Sequence, residues 1–412
     1  MFENKTEEER VLMVAVADGT PGSSFEEEKK SLAELSELVK TAGGVTVGEV
    51  IQNREAVHPG TYIGKGKIEE VREEVARTEA DAVVTDDELS PAQMKNLEDA
   101  LGCKVMDRTM LILDIFAKHA STKEGSVQVE LAQLKYRSTR LIGAGSSMSR
   151  LGGGIGTRGP GEKKLETDRR VIRGRIAQLN RELKEMQKNR DVQRQGRMRS
   201  GIPVISIVGY TNAGKSTLLN RLTGAEVLSA DMLFATLDPT TRVCETEDGQ
   251  QMLFTDTVGF IRKLPHHLVD AFRSTLEEAR YADIILHVVD VSAEEPEVAM
   301  AVVYETLAGL GIEDKPIITV FNKTDLAGNV IIKDLKAERT VRISAKTGEG
   351  VDTLISTIGE VLREGKYYLE TVIPYDDAGR VAEIRRVGEL LSEEYTPEGI
   401  AVKAYLPKEY KR

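Results

Sequence analysis

The sequence has little cysteine, no long apolar run and an overall deficit of positive charge. Cys103 and Cys244 are its two cysteines; they lie far apart with no CxxC spacing, which excludes a disulfide framework and a zinc site as organising elements. No apolar stretch approaches the ~18 residues that span a bilayer. The opening MFENKTEEER has the wrong charge and no apolar segment for a secretory signal. The expectation is a soluble, cytoplasmic chain with no stable membrane insertion. Lys and Arg number 56 against 67 Asp and Glu, a net charge of −11, which argues against a protein basic throughout but leaves local patches open. What is present is ordinary globular material, 40 % hydrophobic residues, in 412 residues, too many for one core and enough for two to four domains.

From Val11 to about residue 120, β-rich and helix-like runs alternate. VLMVAVAD (11–18) reads as a strand and EEEKKSLAELSELVKTAG (26–43) as a helix ending at Gly43. GVTVGEVIQ, the helix KIEEVREEVARTEA, the strand ADAVVTDD and a helix opening at Ser90-Pro91 follow. That alternation predicts an α/β unit with a mostly parallel sheet. GTYIGKGK (60–67) matches no phosphate-loop spacing and reads first as a turn, second as a ligand or RNA contact.

Residues 135–200 hold 18 Lys and Arg against 6 Asp and Glu, a local net of +12 that leaves −23 for the rest. Leu165, Ile172, Ile176, Leu179, Leu183 and Met186 keep the spacing of a heptad seam on a long helix. VQVELAQLKYRSTRLI is a candidate antiparallel partner, and SSMSRLGGGIGTRGPGEKK between them predicts a Gly-rich, basic, non-helical loop. Arg150, Arg158, Lys163, Lys164, Arg169 and Arg170 cluster there. Glycines permit close approach to a sugar–phosphate backbone and arginines pair with phosphate, so this segment is a candidate RNA contact, against the plainer reading of a solvated helix pair. Tyr136 is its one aromatic residue, which favours recognition of backbone and shape over base stacking.

Gly209-Tyr210-Thr211-Asn212-Ala213-Gly214-Lys215-Ser216 matches G-x-x-x-x-G-K-[ST] in full, after the strand-like ISIV and before the helix-like STLLNRL. Such a loop turns successive N–H groups and a helix N-terminus toward phosphates. Lys215 is expected to bridge the β- and γ-phosphates and the Ser216 hydroxyl to ligate Mg²⁺. Asp256-Thr257-Val258-Gly259 ends the strand QMLFTD, so Asp256 can reach Mg²⁺ through water and the Gly259 N–H can meet the γ-phosphate. Asn322-Lys323-Thr324-Asp325 closes the strand PIITVFN; the Asp325 carboxylate can accept from both N1–H and the exocyclic amine of guanine, a pair that adenine does not offer. Ser344-Ala345-Lys346 is expected to support the base from the other side. In LFATLDPTTR (233–242), Thr236, Thr240 and Thr241 are all loop hydroxyls that could sense the γ-phosphate. Phe260 stands where Ras-like enzymes carry a water-orienting glutamine, which predicts slow resting hydrolysis. His266 and His267 are nearby substitutes for that role.

With these motifs the chain resembles the translation-factor-like GTPases, and closely the HflX family. GYTNAGKST, LFATLDPTTR, LFTDTVGFIRKLPHHLV and FNKTD are similar to that family's guanine-site motifs; SRLGGGIGTRGPGEKKLETDRR and GTYIGKGK are similar to its N-terminal signatures. The resemblance covers nearly all of residues 10–365. It implies Thr236 as the switch threonine, paired with Ser216 on Mg²⁺, within a nucleotide-contacting run Phe234-Ala235-Thr236-Leu237-Asp238. Lys215, Thr236 and Gly259 are then the expected catalytic groups. The resemblance also implies a GTPase on the large ribosomal subunit and its RNA, tied to rescue or splitting of stalled ribosomes under stress, and a monomer off the ribosome. The resemblance includes some members reported to hydrolyse ATP as well, through the N-terminal half, but no second complete phosphate loop is present here to support that. The expected architecture is an N-terminal α/β domain (1–120), an antiparallel basic helical hairpin (121–200), a P-loop GTPase domain with a mostly parallel sheet (201–365) and a small C-terminal α+β module (366–412). A regulatory GTPase whose hairpin docks a protein partner is the second reading.

Overall fold

The computed structural model describes residues 8–20, 24–148, 160–200, 202–224, 233–234, 240–245, 251–263, 278–312, 314–327, 332–364, 366–407 and 410. The chain divides into two compact units. The first is Met1–Glu185 with two short later segments, Met232–Phe234 and Arg262–Phe272; the second is Met186–Asp231, Ala235–Ile261 and Arg273–Arg412.

In the first unit β1 (Glu9–Ala17), α1 (Phe25–Ala42), β2 (Gly44–Asn53), α2 (Lys65–Thr78), β3 (Ala82–Thr85), α3 (Pro91–Leu101), β4 (Lys104–Asp107) and α4 (Arg108–His119) form a doubly wound fold. The sheet order is β2-β1-β3-β4, parallel throughout. β1 is buried over residues 11–17, as expected of a parallel strand covered on both faces. Helix ends follow local chemistry: Ser24 and Glu27, then Ser90 and Gln93, form capping boxes, and Gly43 closes α1 in the left-handed region (φ 89°). The GTYIGKGK segment is a turn in which His58 and Tyr62 pair, Tyr62 is buried, and Gly64 caps α2.

α5 (Lys123–Met148) and α6 (Pro160–Ser200) follow. Arg140 of α5 reaches the buried Asp107 at 2.6 Å, and Arg175 of α6 pairs with Glu130 of α5 at 2.7 Å. Both ends of the SSMSRLGGGIGTRGPGEKK segment are helical where its composition predicts a loop. Residues 146–148 continue α5, and α6 opens at Pro160, taking in Gly161, Lys163 and Lys164. Proline suits a first helical position because that N–H has no intrahelical partner. Arg150 and Arg158 lie outside the described residues.

The second unit carries β5 (Val204–Gly209), α7 (Lys215–Thr223), β6 (Thr240–Glu245), β7 (Gln251–Asp256), β8 (Ile284–Asp290), α8 (Pro296–Gly309), β9 (Ile317–Asn322), the single turn α9 (Thr324–Ala327), β10 (Arg339–Arg342) and α10 (Val351–Glu364). Its six strands run β10-β9-β8-β5-β7-β6, parallel except for antiparallel β6. Ile205, Ile207, Leu286, Val288, Ile318 and Val320 fill the core against α7 and α10. Beyond α10, β11 (Lys366–Ile373), α11 (Ala378–Val387), β12 (Glu389–Thr396) and β13 (Gly399–Pro407) make an antiparallel sheet, β11-β13-β12, with α11 packed on it through Val381 and Ile384. Among the described residues no helix is long and apolar enough to cross a membrane.

Candidate nucleotide site

The carboxyl ends of β5, β7 and β9 bring three sequence motifs together in the second unit. β5 ends at Gly209, and the loop to α7 opens the helix with Lys215. Asn212 takes the left-handed region (φ 58°), as does Gly214 (φ 92°). A Cβ on Gly214 would lie 2.3 Å from Asn322 Nδ2, so glycine is required there for space as well as for φ.

Asn322 joins the elements. Its Nδ2 donates to the Ala213 carbonyl of the phosphate loop at 2.8 Å, and its Oδ1 accepts from the Ala345 N–H at 2.9 Å. One buried amide therefore ties the phosphate loop to both base-recognition loops. Lys323 is held at φ 63°, its ammonium 2.7 Å from Asp290 Oδ2. Thr324 Oγ1 donates to the Ile343 carbonyl at 2.9 Å, fixing one loop against the other. Asp325 and Lys346 are exposed, while Ser344 and Ala345 are buried. Asp290 was not singled out by sequence; the signal was its place at the end of DIILHVVD, on the same edge of the sheet.

At the phosphate end, Lys215 is buried and its ammonium donates to the Tyr210 carbonyl at 2.7 Å. Burial lowers it to about 8, with Asp256 acting in the opposite sense. Ser216 Oγ lies 2.7 Å from Asp256 Oδ2. A hydroxyl beside a carboxylate is the hard-oxygen donor set that suits Mg²⁺. The DTVG segment packs directly on the phosphate loop. Thr211 N–H donates to the Phe260 carbonyl at 2.7 Å, and Phe260 N–H to the Gly209 carbonyl at 3.1 Å. A Cβ on Gly259 would lie 2.9 Å from Lys215 Nζ and from Thr211 Cα. Thr257 Oγ1 donates to the Ile207 carbonyl at 2.8 Å, and Val258 is buried.

Phe260 is buried among Val208, Ile285 and Val303, so its side chain belongs to the core and cannot orient a water. Thr240 and Thr241 are not loop residues: they pair with Asp256 and Thr255 in the β6–β7 ladder, and Thr241 Oγ1 lies 3.0 Å from Thr255 Oγ1. A β-branched Thr-Thr-Arg-Val run favours a strand over a loop there. Thr236, Ala235, Leu237, Asp238, His266 and His267 lie outside the described residues. Phe234 is grouped with the first unit, its ring centroid 4.6 Å from that of Phe116.

Three family profiles match along the chain: GTP-binding GTPase N-terminal over residues 29–117, GTP-binding GTPase Middle Region over 119–197, and 50S ribosome-binding GTPase over 204–323. A GTPase HflX of Lacrimispora saccharolytica is 61 % identical over 410 residues, covering 99 % of this chain and 96 % of that protein. The chain belongs to the HflX GTPase family. The GTPase HflX of Caldanaerobacter subterraneus subsp. tengcongensis is 48 % identical over 411 residues (100 % of this chain, 94 % of that protein), and that of Escherichia coli 44 % over 341 (82 % and 80 %). Among solved structures, a GTP-binding protein from Sulfolobus solfataricus in complex with GDP is similar over 85 % of this chain and 98 % of its own, at 25 % identity and a TM-score of 0.45. As an HflX family member the chain is a P-loop GTPase, a class that works with Mg²⁺ and GTP.

Proposed function

We propose that this HflX family GTPase is a nucleotide-controlled switch on the large ribosomal subunit. The observation that carries the nucleotide half of this reading is the Asn322 bridge between Ala213 and Ala345, which presents a phosphate loop and two base-recognition loops as one surface. Gly209–Ser216 cradle the phosphates, with Lys215 on the β- and γ-oxygens. Ser216 and Thr236 would hold Mg²⁺, with the Asp256 carboxylate beside the Ser216 hydroxyl, and the Gly259 N–H would sense the γ-phosphate. Asp325 reads guanine, with Ser344, Ala345 and Lys346 behind the base. Bound Mg²⁺ would neutralise charge developing on the β,γ-oxygens.

The ribosomal half rests on two supports: the 50S ribosome-binding description of the profile matching residues 204–323, and the +12 charge of residues 135–200 in an acidic protein. Rescue or splitting of stalled ribosomes under stress, action as a monomer off the ribosome, and a cytoplasmic site of work follow the family resemblance. The basic helices and the segment between them supply the RNA grip. Arg170 and Arg173 on α6 are exposed. Each neutralised phosphate releases counterions, so binding should weaken with salt at a log–log slope of about −0.7 to −0.9 per contact. Ribosome pelleting across a salt series is the test, with a non-hydrolysable GTP analogue bound. Replacing Arg150, Arg158, Arg170 and Arg173 with alanine should flatten the slope by about three to four contacts' worth and leave nucleotide affinity unchanged. Pelleting equal to wild type at every salt would reject the RNA grip and favour a protein partner docked on the helices.

A further inference from the structure

Apart from its terminal Asp290, His287 is the one polar residue of β8, and it is 1 % exposed in a run of Ile, Leu and Val. Side chains alternate along a strand, so His287 shares a face with Ile285, which packs with Val303 of α8. Its ring meets Tyr304 of α8 edge-on, the centroids 5.1 Å apart. Its Nδ1 is buried and has no hydrogen-bond partner among the described residues. The Asp334 carboxylate is engaged elsewhere, accepting from the Tyr304 hydroxyl and from Thr319 Oγ1, each at 2.6 Å. Burial keeps the imidazole neutral, pushing it down to about 4 against the pull of Asp334. Thr211 of the phosphate loop has the same deficit: it is buried, and its Oγ1 has no partner among the described residues. Both residues line one cavity of about 60 Å³ in the second unit, together with Tyr210, Ala213 and Met300.

Buried polar atoms without partners are few in folded proteins, and internal water commonly serves them. A cavity of about 60 Å³ has room for one or two waters at about 30 Å³ each. A neutral imidazole nitrogen and a hydroxyl can each be satisfied by water, and a bond through water is nearly as good as a direct one. We propose that His287 Nδ1 and Thr211 Oγ1 share internal water in this cavity, and that His287 is thereby a positioning residue for the phosphate loop. Its effect reaches the γ-phosphate through Thr211. The Thr211 N–H donates to the Phe260 carbonyl at 2.7 Å, and a Cβ on Gly259 would lie 2.9 Å from Thr211 Cα and Cγ2. Fixing the Thr211 hydroxyl therefore fixes the surface on which Gly259 packs. This rests on the guanine-nucleotide reading above and adds a residue to it. GDP lacks the γ-phosphate that Gly259 would sense, so the tie must show in the ratio of GTP to GDP affinity.

The experiment is a double-mutant cycle on the full-length protein, titrated with fluorescent GDP and a fluorescent non-hydrolysable GTP analogue, both with Mg²⁺. His287→Leu puts an apolar side chain into an apolar strand, and Thr211→Val keeps the shape but removes the hydroxyl. Each is expected to lower the ratio of GTP-analogue to GDP affinity about fivefold. The double variant should also lose only about fivefold, because either change alone breaks the shared water bridge. His287→Asn, whose amide stands near the place of Nδ1, should keep the ratio within about twofold of wild type. Losses that multiply to about 25-fold in the double variant overturn the proposal, as does His287→Asn as impaired as His287→Leu. A ratio within about twofold of wild type in His287→Leu or in Thr211→Val overturns it too, and Thr211→Val decides alone where His287→Leu does not fold. Wild-type protein that binds neither nucleotide would instead overturn the nucleotide reading itself.

Discussion

Replacing Asp325 with asparagine is expected to turn a guanine site into a xanthine site. The carboxylate is exposed in the turn after β9, where Lys323 is locked by Asp290 and Thr324 by the Ile343 carbonyl. A carboxylate only accepts, which suits the adjacent N1–H and amine donors of guanine; an amide presents one donor and one acceptor, which suits the N1–H and carbonyl of xanthine. A site built to hydrogen-bond one group rejects an analogue lacking it by about 10⁴–10⁵-fold. Wild type should therefore separate GTP from ATP by that order, and Asp325→Asn should bind xanthosine triphosphate more tightly than GTP. Competitive displacement of a fluorescent guanine nucleotide measures both. Comparable binding of ATP and GTP by wild type, or a variant that still prefers GTP, would reject the role of Asp325.

Lys215→Ala should lose about 10²–10³-fold or more in affinity for GDP and GTP alike, the cost of leaving phosphate charge facing a buried site without its cation. The same lysine gives nucleotide affinity a pH dependence of known sign. Burial lowers its ammonium to about 8 in the free protein, and bound phosphates favour the charged form. Below pH 7 the lysine is charged in both states and contributes no slope. As pH rises through 8 the free protein loses the proton, binding must take it up again, and affinity falls by about three- to fourfold between pH 6.5 and 8.5. Direct titration across that range, with Lys215→Arg as a side chain that stays charged, is the measurement. A flat profile in wild type would mean that the ammonium is already stabilised without nucleotide.

The phosphate and base loops were legible because their chemistry is local. Gly209–Ser216, Asp256–Gly259 and Asn322–Asp325 each terminate a continuous apolar run, and parallel strands buried on both faces produce such runs. Helix ends were legible for the same reason, since Gly43 and the Ser90-Pro91 start act within a few residues. What escaped was set by distant partners. Phe260 reads as a missing glutamine, but its burial depends on Val208, Ile285 and Val303 from three other elements. Lys263 sits in a charged stretch, FIRKLPHH, and nothing near it names Glu28, 235 residues earlier, as its partner. Thr240 and Thr241 read as loop hydroxyls because the proline before them masks the strand that pairing with β7 imposes. Gly143 and Gly145 lie inside α5 although each costs about 1 kcal/mol relative to alanine, an amount that a 26-residue helix absorbs.

Single-turnover GTP hydrolysis, with purified large or small ribosomal subunits added, tests the central claim most directly. With Phe260 confined to the core, the free protein should turn over at about 10⁻³ s⁻¹ or below. Large subunits should raise that rate by about 10²-fold or more by ordering the switches around the nucleotide, while small subunits leave it unchanged. Fast hydrolysis by the free protein, indifferent to either subunit, would contradict the account.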